Sequence, residues 1–404
     1  MRTMFRALRH RNFQLFFAGQ AVSLIGTWMQ NIAQGWLVYD LTHSAFWLGF
    51  IGFVGSLPAL LFSLIGGAVA DRVPKRPLII FLQGVLLLLA LVLGLLTAYG
   101  WVKLWHVAAL GFLFGLASAF EMPARQAFIY DMVGREDLGN AIALNAAMFH
   151  GARLIGPAIA GILMISASSV LRGIGICFLV NSVSYLAVIL CLSLIKVAPH
   201  KKEEGRPDVL QSTLDGLRYI RKTPSIFAVL ALVGIMTIFG WSSSVLMPIF
   251  ADQVLHSGPG GFARLVSCNG LGAVIAALTL AMVIDRVGPR SLSFGGIGIF
   301  CVSVVAMALS TDFWFSAACM VLTGFGLVTF FATSITTLQK QVPDHMRGRI
   351  MGIYSFVFFG FFPIASLQAG TIADWAGAPF AVILGAVICA LAAVIAARLA
   401  PRSG

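Results

Sequence analysis

Four ionisable side chains stand inside apolar runs where a membrane-spanning helix would normally carry none. Glu121 and Arg125 lie in "GLASAFEMPARQAF", and His150 and Arg153 in "NAAMFHGARLIGPAIAG". Spacings of three and four put Ser118, Glu121 and Arg125 on one helical face. A charge at bilayer depth costs about 2.5–3.5 kcal/mol even on the lenient insertion scale, so it calls for a partner or a function. Glu121 has two uses open to it. It can gain and lose a proton, with His150 relaying and an arginine modulating its acidity. Alternatively it forms a permanent pair with Arg125, i to i+4, that braces the helix. Counting equal distances from a turn near residue 135 places Glu121 at the depth of His150 and Arg153, so the four are expected to cluster.

No other chemistry competes. HExxH, GxSxG and GxxxxGK[ST] are absent, so neither an enzyme nor an ATP-driven pump is expected, and no cofactor is implied. The six cysteines are scattered singly in apolar segments without metal-ligand spacing, and no metal site is expected. Without a nucleotide site, energy must come from an ion gradient or from the solute's own gradient.

The elements that hold these residues are membrane helices. The chain is 59% hydrophobic and 10% charged, with mean hydropathy +0.94, and no soluble core could hide that much apolar surface. Apolar runs of spanning length fall near 13–39, 45–70, 77–99, 105–130, 139–166 and 171–195. After a polar stretch, six more fall near 225–251, 262–284, 291–310, 313–339, 349–373 and 378–399. With the N-terminus inside, cytoplasmic segments hold 22 of the 27 Lys and Arg residues. That asymmetry places both termini in the cytoplasm and explains the net charge of +12 as topology, leaving no case for nucleic-acid binding.

The two sets of six are related. "GGAVADRVPKRP" after the second span matches "AMVIDRVGPR" after the eighth, with Asp71-Arg72 and Asp285-Arg286 offset by 214 residues. "VGREDLGNA" at 133–141 resembles "VPDHMRGRI" at 342–350, offset by 209. Two parallel six-span halves predict an all-α transporter with bundles at 1–195 and 225–404, a cytoplasmic linker at 196–224, and a site between the halves. At offset 209, Phe330 and Ser334 stand opposite Glu121 and Arg125, so coupling chemistry is expected in the first half.

Polar residues recur at helical spacing along four of the spans. Span 1 carries Gln20, Ser23, Thr27, Gln30, Asn31 and Gln34; span 4 has Ser118, span 7 Thr237, Trp241 and Ser244, and span 10 Thr329, Thr333 and Thr336. Lipid does not solvate amides, so these faces meet protein or a wet cavity. Amide, hydroxyl and aromatic groups with few charges suit an amphiphilic or largely neutral solute.

The cluster Gly67, Asp71, Arg72, Lys75 and Arg76 resembles the loop signature of the major facilitator superfamily, with Pro74 where Gly is usual and Lys75 for one Arg. The second copy keeps Asp285 and Arg286 but has Ala281 in place of the Gly. The resemblance covers essentially the whole chain. It implies a twelve-helix, two-bundle fold, spans 1, 4, 7 and 10 around a central cavity, and a latch at this loop for one access state. "IGTWMQNIAQGWLVYDLT", "EMPARQAF" and "ARLIGPAIAG" resemble the bacterial exporter branch that includes the enterobactin exporter and macrolide efflux pumps. Gly156, Pro157 and Gly161 are similar to that branch's antiporter signature, without its adjacent glycine pair; a packing bend explains them equally well.

The expectation is secondary active export of a small amphiphilic molecule, drug-like or siderophore, by alternating access with proton antiport. The setting is a bacterial inner membrane, with the lipid bilayer, protons and the solute as partners, and the protein monomeric. Uptake symport, an uncoupled facilitator or lipid flippase, and a non-transporting receptor or scaffold remain as alternatives.

Overall fold

The computed structural model describes residues 6–196 and 209–399, except the side chains at 64, 71, 209–213 and 399. Among the described residues every regular element is helical. Long apolar runs must satisfy all their backbone groups internally in lipid, and the helix is the open-chain solution. A 3₁₀ turn, Arg6–Arg9, leads into α1 (Arg11–Thr42), α2 (Ala45–Arg72), α3 (Lys75–Ala98), α4 (Leu104–Ser166) and α5 (Val170–Leu194). The second series begins with α6 (Val209–Lys222), α7 (Pro224–Gly240), α8 (Ser242–Ile249) and a π-helical turn at Phe250–Val254. Then come α9 (Gly258–Val287), α10 (Pro289–Leu309), α11 (Phe313–Gln341), α12 (Asp344–Gly360), α13 (Phe362–Ala376) and α14 (Ala378–Leu399).

Ten helical segments among the described residues are long and apolar enough to cross a membrane. One of them is α4, whose 63 residues would run about 95 Å if straight, against a hydrocarbon core of about 30 Å. Gly134 divides it, with φ 69° and ψ −173°, a backbone region that is almost glycine-only. The two arms each have spanning length. α1, 32 residues long, is held out of the ten by its amides. Counting α1 and both arms of α4 gives a number that fits the expected twelve-helix plan.

The chain groups into two compact units: Met1–His43, Val54–Lys202 and His256–Ser267 in the first, Ser44–Phe53, Glu203–Leu255 and Cys268–Gly404 in the second. The start of α2 thus belongs to the second unit and the start of α9 to the first. Small residues explain both memberships. A Cβ on Gly49 would lie 2.7 Å from Gly370 Cα, and one on Gly161 2.6 Å from Ala263 Cβ, so the helices approach closely at both places. Ser44 Oγ also donates to Asp374 Oδ1 at 3.3 Å, and the Trp36 and Phe262 rings lie 5.8 Å apart.

Candidate functional site

Glu121 sits on the first arm of α4, 6% exposed. Arg125 Nε lies 3.0 Å from its Oε1 and 3.3 Å from its Oε2, one helical turn on. α3 supplies a third member, Gln83, whose Nε2 donates to Glu121 Oε1 at 3.1 Å. Gln83 is itself buried, and its own carbonyl oxygen accepts nothing. The acid is therefore compensated from both sides. A carboxylate accepts from Arg125 and Gln83; a protonated carboxyl could donate to the free Gln83 oxygen after that amide turns over.

The other two expected members stand apart from this triad. Arg153, on the second arm, places its guanidinium 5.5 Å above the Trp28 ring of α1, a favourable cation–π position. Trp28 meets Phe149 edge-on at 5.5 Å. His150 is half-buried beside Phe149, with an Nδ1 that has no hydrogen-bond partner. Gly156 creates this neighbourhood, because a Cβ there would fall 2.6 Å from Trp28 Cβ and 3.0 Å from Met29 N. Pro157 follows it within the helix. The expected cluster of four is thus two groups, and the reason is the choice of rotamer partner: Arg125 reaches along its own helix, while Arg153 stacks on an aromatic.

The polar stripe of α1 is likewise divided. Gln20, Ser23 and Gln30 are buried, Thr27 and Gln34 are half-buried, and Asn31 is exposed. Asn181 of α5 donates to Gln30 Oε1 at 2.7 Å and accepts from Ser184 Oγ at 2.9 Å. Tyr185 OH lies 3.4 Å from Thr27 Oγ1 and from Asn181 Nδ2. Gly26 makes room, since a Cβ there would meet Ser184 Oγ at 2.5 Å. One side of the stripe is therefore helix-to-helix hydrogen bonding with α5; Asn31 and Gln34 carry the other side.

In the second unit Thr237, Thr329 and Thr333 are buried, and Trp241, Ser244 and Thr336 half-buried. Thr333 Oγ1 bonds Ser293 Oγ of α10 at 2.6 Å. Ser118 of the first unit is half-buried. Trp241 occupies the break between α7 and α8 and packs edge-on against Phe362 at 4.7 Å, just past the break between α12 and α13. Phe358 touches Trp241, Phe331 and Phe362, with centroids 4.8–6.5 Å apart.

At the signature loop, Lys75 Nζ is bonded to Asp131 Oδ2 at 2.8 Å, with the lysine side chain 5% exposed. Arg76 donates to the Leu192 and Ser193 carbonyls, both at 2.7 Å, capping the end of α5. Arg290, offset by 214, reaches the Ala397 carbonyl of α14 at 3.3 Å. Arg72, Asp285 and Arg286 are exposed, nothing crowds Gly67, and the side chain of Asp71 lies outside the described residues.

Gln83, Asn181, Ser184 and Tyr185 are not singled out by the sequence, and Asp131, an acid near a span end, is not paired there with Lys75. Gln83 is the lone amide of "FLQGVLLLLALVLGLL" and Asn181 interrupts "CFLVNSVSYLAVIL", so polarity inside an apolar run was the available signal.

Comparison with known proteins agrees with this architecture. The staphyloferrin A transporter of Staphylococcus aureus is 26% identical over 89% of both chains. The enterobactin exporter of Escherichia coli O1:K1 is 25% identical, over 86% of this chain and 81% of its own. A bacterial homologue of the human lysosomal transporter Spinster, in an inward-facing and unoccupied conformation, superposes with TM-score 0.75 at 14% identity, over 96% of this chain and 97% of its own. The family model of transmembrane secretion effectors matches residues 2–403. The chain belongs to that family of the major facilitator superfamily.

Proposed function

We propose that this protein exports a small amphiphilic molecule, a siderophore or drug-like compound, from the cytoplasm across a bacterial inner membrane. The cycle is alternating access, driven by protons entering in exchange, with both termini cytoplasmic and the monomer as working unit. The observation that carries the reading is Glu121: an acid buried at bilayer depth whose two neighbours can serve both of its protonation states. Arg125 and Gln83 stabilise the carboxylate, and the amide can turn to accept from the neutral carboxyl. The solute class follows from two surfaces. The first unit offers amides at Asn31 and Gln34, and the second offers the half-buried rings of Trp241, Phe331, Phe358 and Phe362. Such surfaces suit a molecule with a polar and an aromatic or apolar side. The relatives named for staphyloferrin A and enterobactin fit the siderophore class. In this reading the loop signature is the latch of one access state, and its Lys75–Asp131 pair keeps the loop seated on α4.

The experiment is transport by the purified protein in proteoliposomes under an imposed pH gradient. Glu121→Gln, which keeps shape and hydrogen bonding, should abolish proton-driven transport while the protein stays folded and binds solute. A variant that transports and couples normally leaves Glu121 as a brace for Arg125 and removes the antiport mechanism.

A further inference from the structure

Each half is entered through a short segment that is tied to one distant turn, and the two ties are built alike with their charges reversed. In the first half the 3₁₀ turn Arg6–Arg9 lies on the stretch of α4 just past Gly134. Asp137 takes Arg6 Nε on one oxygen at 3.2 Å and His10 Nε2 on the other at 2.8 Å. Between them Ala7 N donates to Asn140 Oδ1 at 2.9 Å. The Ala7 side chain is fully buried in a cluster with Ala141 and Leu144.

In the second half α6 takes the place of the 3₁₀ turn. Asp215 Oδ2 lies 3.3 Å from Arg349 of α12, and its other oxygen 3.4 Å from Arg218. At Gly216 a Cβ would approach Ile353 Cδ1 to 2.7 Å, so the helix packs by its backbone. The repeat offset of 209 relates the parts: Arg6 to Asp215, Ala7 to Gly216, Asn140 to Arg349 and Leu144 to Ile353. In each half a small residue thus seats against apolar side chains, buried Ala141 and Leu144 in the first and half-buried Ile353 in the second, beside an ion pair. The base is on the entering segment in the first half, and the acid is there in the second. Either segment laid on the other half would meet a like charge.

We propose that these are matched clips. Each clamps the segment entering its half's first span to the turn between that half's fourth and fifth spans, so that the half moves as one body during transport. Asp137 and the Asp215–Arg349 pair are their positioning residues; they touch no solute. This rests on the transport reading for its effect on turnover, and on geometry alone for the clamping itself.

The test uses the full chain in lipid nanodiscs and proteoliposomes, with two readouts. Hydrogen exchange reports whether residues 6–12 and 214–222 are held, and flux of a fluorescent amphiphilic dye, used as the solute, gives maximal rate and half-saturation separately. Asp137→Arg and Asp215→Arg should each release their own entering segment and lower maximal rate by about fivefold, the upper range for a solvent-facing pair, with half-saturation unchanged. The exchanged pair Asp215→Arg with Arg349→Asp should restore protection and rate together. Asp215→Asn covers the case in which the reversal fails to fold, and should show the same loss in milder degree. Release of the segments at unchanged rate, or restored protection without restored rate, overturns the proposal. Should the wild type move no solute, the transport reading fails, and exchange alone still decides the clamp: protection that survives both reversals overturns it.

Discussion

The two halves of this protein share a scaffold and differ in what they put inside it. The first buries an acid, an arginine and a run of amides, namely Glu121, Arg153, Gln20, Gln30, Gln83 and Asn181, with Arg125 half-buried beside the acid. The second buries hydroxyls such as Thr237, Thr329, Thr333 and Ser334, with the ring cluster around Phe358. Elements that anchor are duplicated, as with Arg76 and Arg290 on the last carbonyls of α5 and α14. Among the described residues, Glu121 is the one buried acid, and it lies in the first half. The two halves thus share the satisfied helix ends that a bundle needs in lipid and differ in the groups they bury.

The largest expected effect tests whether the ionic interior is confined to the first half. Arg125→Ala leaves Glu121 buried without its base and should cost about 3–5 kcal/mol of stability. Thermal unfolding in detergent measures it, and Glu121→Gln added to Arg125→Ala should recover most of the loss. If Arg125→Ala unfolds no earlier than the wild type, the pair is not a buried one and the contrast fails at its centre.

Next comes the amide network against its hydroxyl counterpart. Asn181→Leu strands Gln30 in a buried setting and should cost about 1–3 kcal/mol, whereas Thr333→Val removes one hydroxyl pair and should cost about 1 kcal/mol. Equal losses would erase the distinction between the two interiors.

The shared scaffold predicts equality. Arg76→Ala and Arg290→Ala each remove a base from helix C-terminal carbonyls, and should each cost about 0.3–1 kcal/mol. A strongly unequal pair would mean the anchors are not duplicates.

The smallest effect is a pH dependence confined to the first clip. The hydrogen bond from His10 holds the Asp137 carboxyl below its usual value of 3.8, against the opposing effect of burial and with help from the charges of Arg6, His10 and Arg9. A lowered folded value means the contribution is fully present above 3.8 and is lost below it, as pH falls through the lowered folded value. Hydrogen exchange of residues 6–12 should rise in that acid window, and Asp137→Asn should flatten that limb of the profile. A profile that already changes near neutrality would assign the dependence to another group.

Much of this was legible in the chain before any coordinates. Apolar run lengths, the skew of Lys and Arg and the paired loops led to the all-α transporter fold, because lipid permits few spanning structures and translocation sorts positive charge. Glu121 stood out for the same reason. What periodicity missed was on neighbouring helices. Helical spacing groups residues along one segment, so the stripe of α1 read as a single face; the structure gives Gln30 to Asn181 and leaves Asn31 exposed. Equal depth likewise joined Arg153 to Glu121, although depth says nothing about azimuth.

Composition and spacing thus settled the solvent, the spans and the presence of one costly acid, since transfer energies depend on residue type and run length. The partners of that acid, Arg125 and Gln83 rather than Arg153 and His150, were decided by packing. Which side chain a buried charge meets depends on the rotation and close approach of whole helices, set by small residues such as Gly26 and Gly156, and those distances exist only once the bundle is assembled.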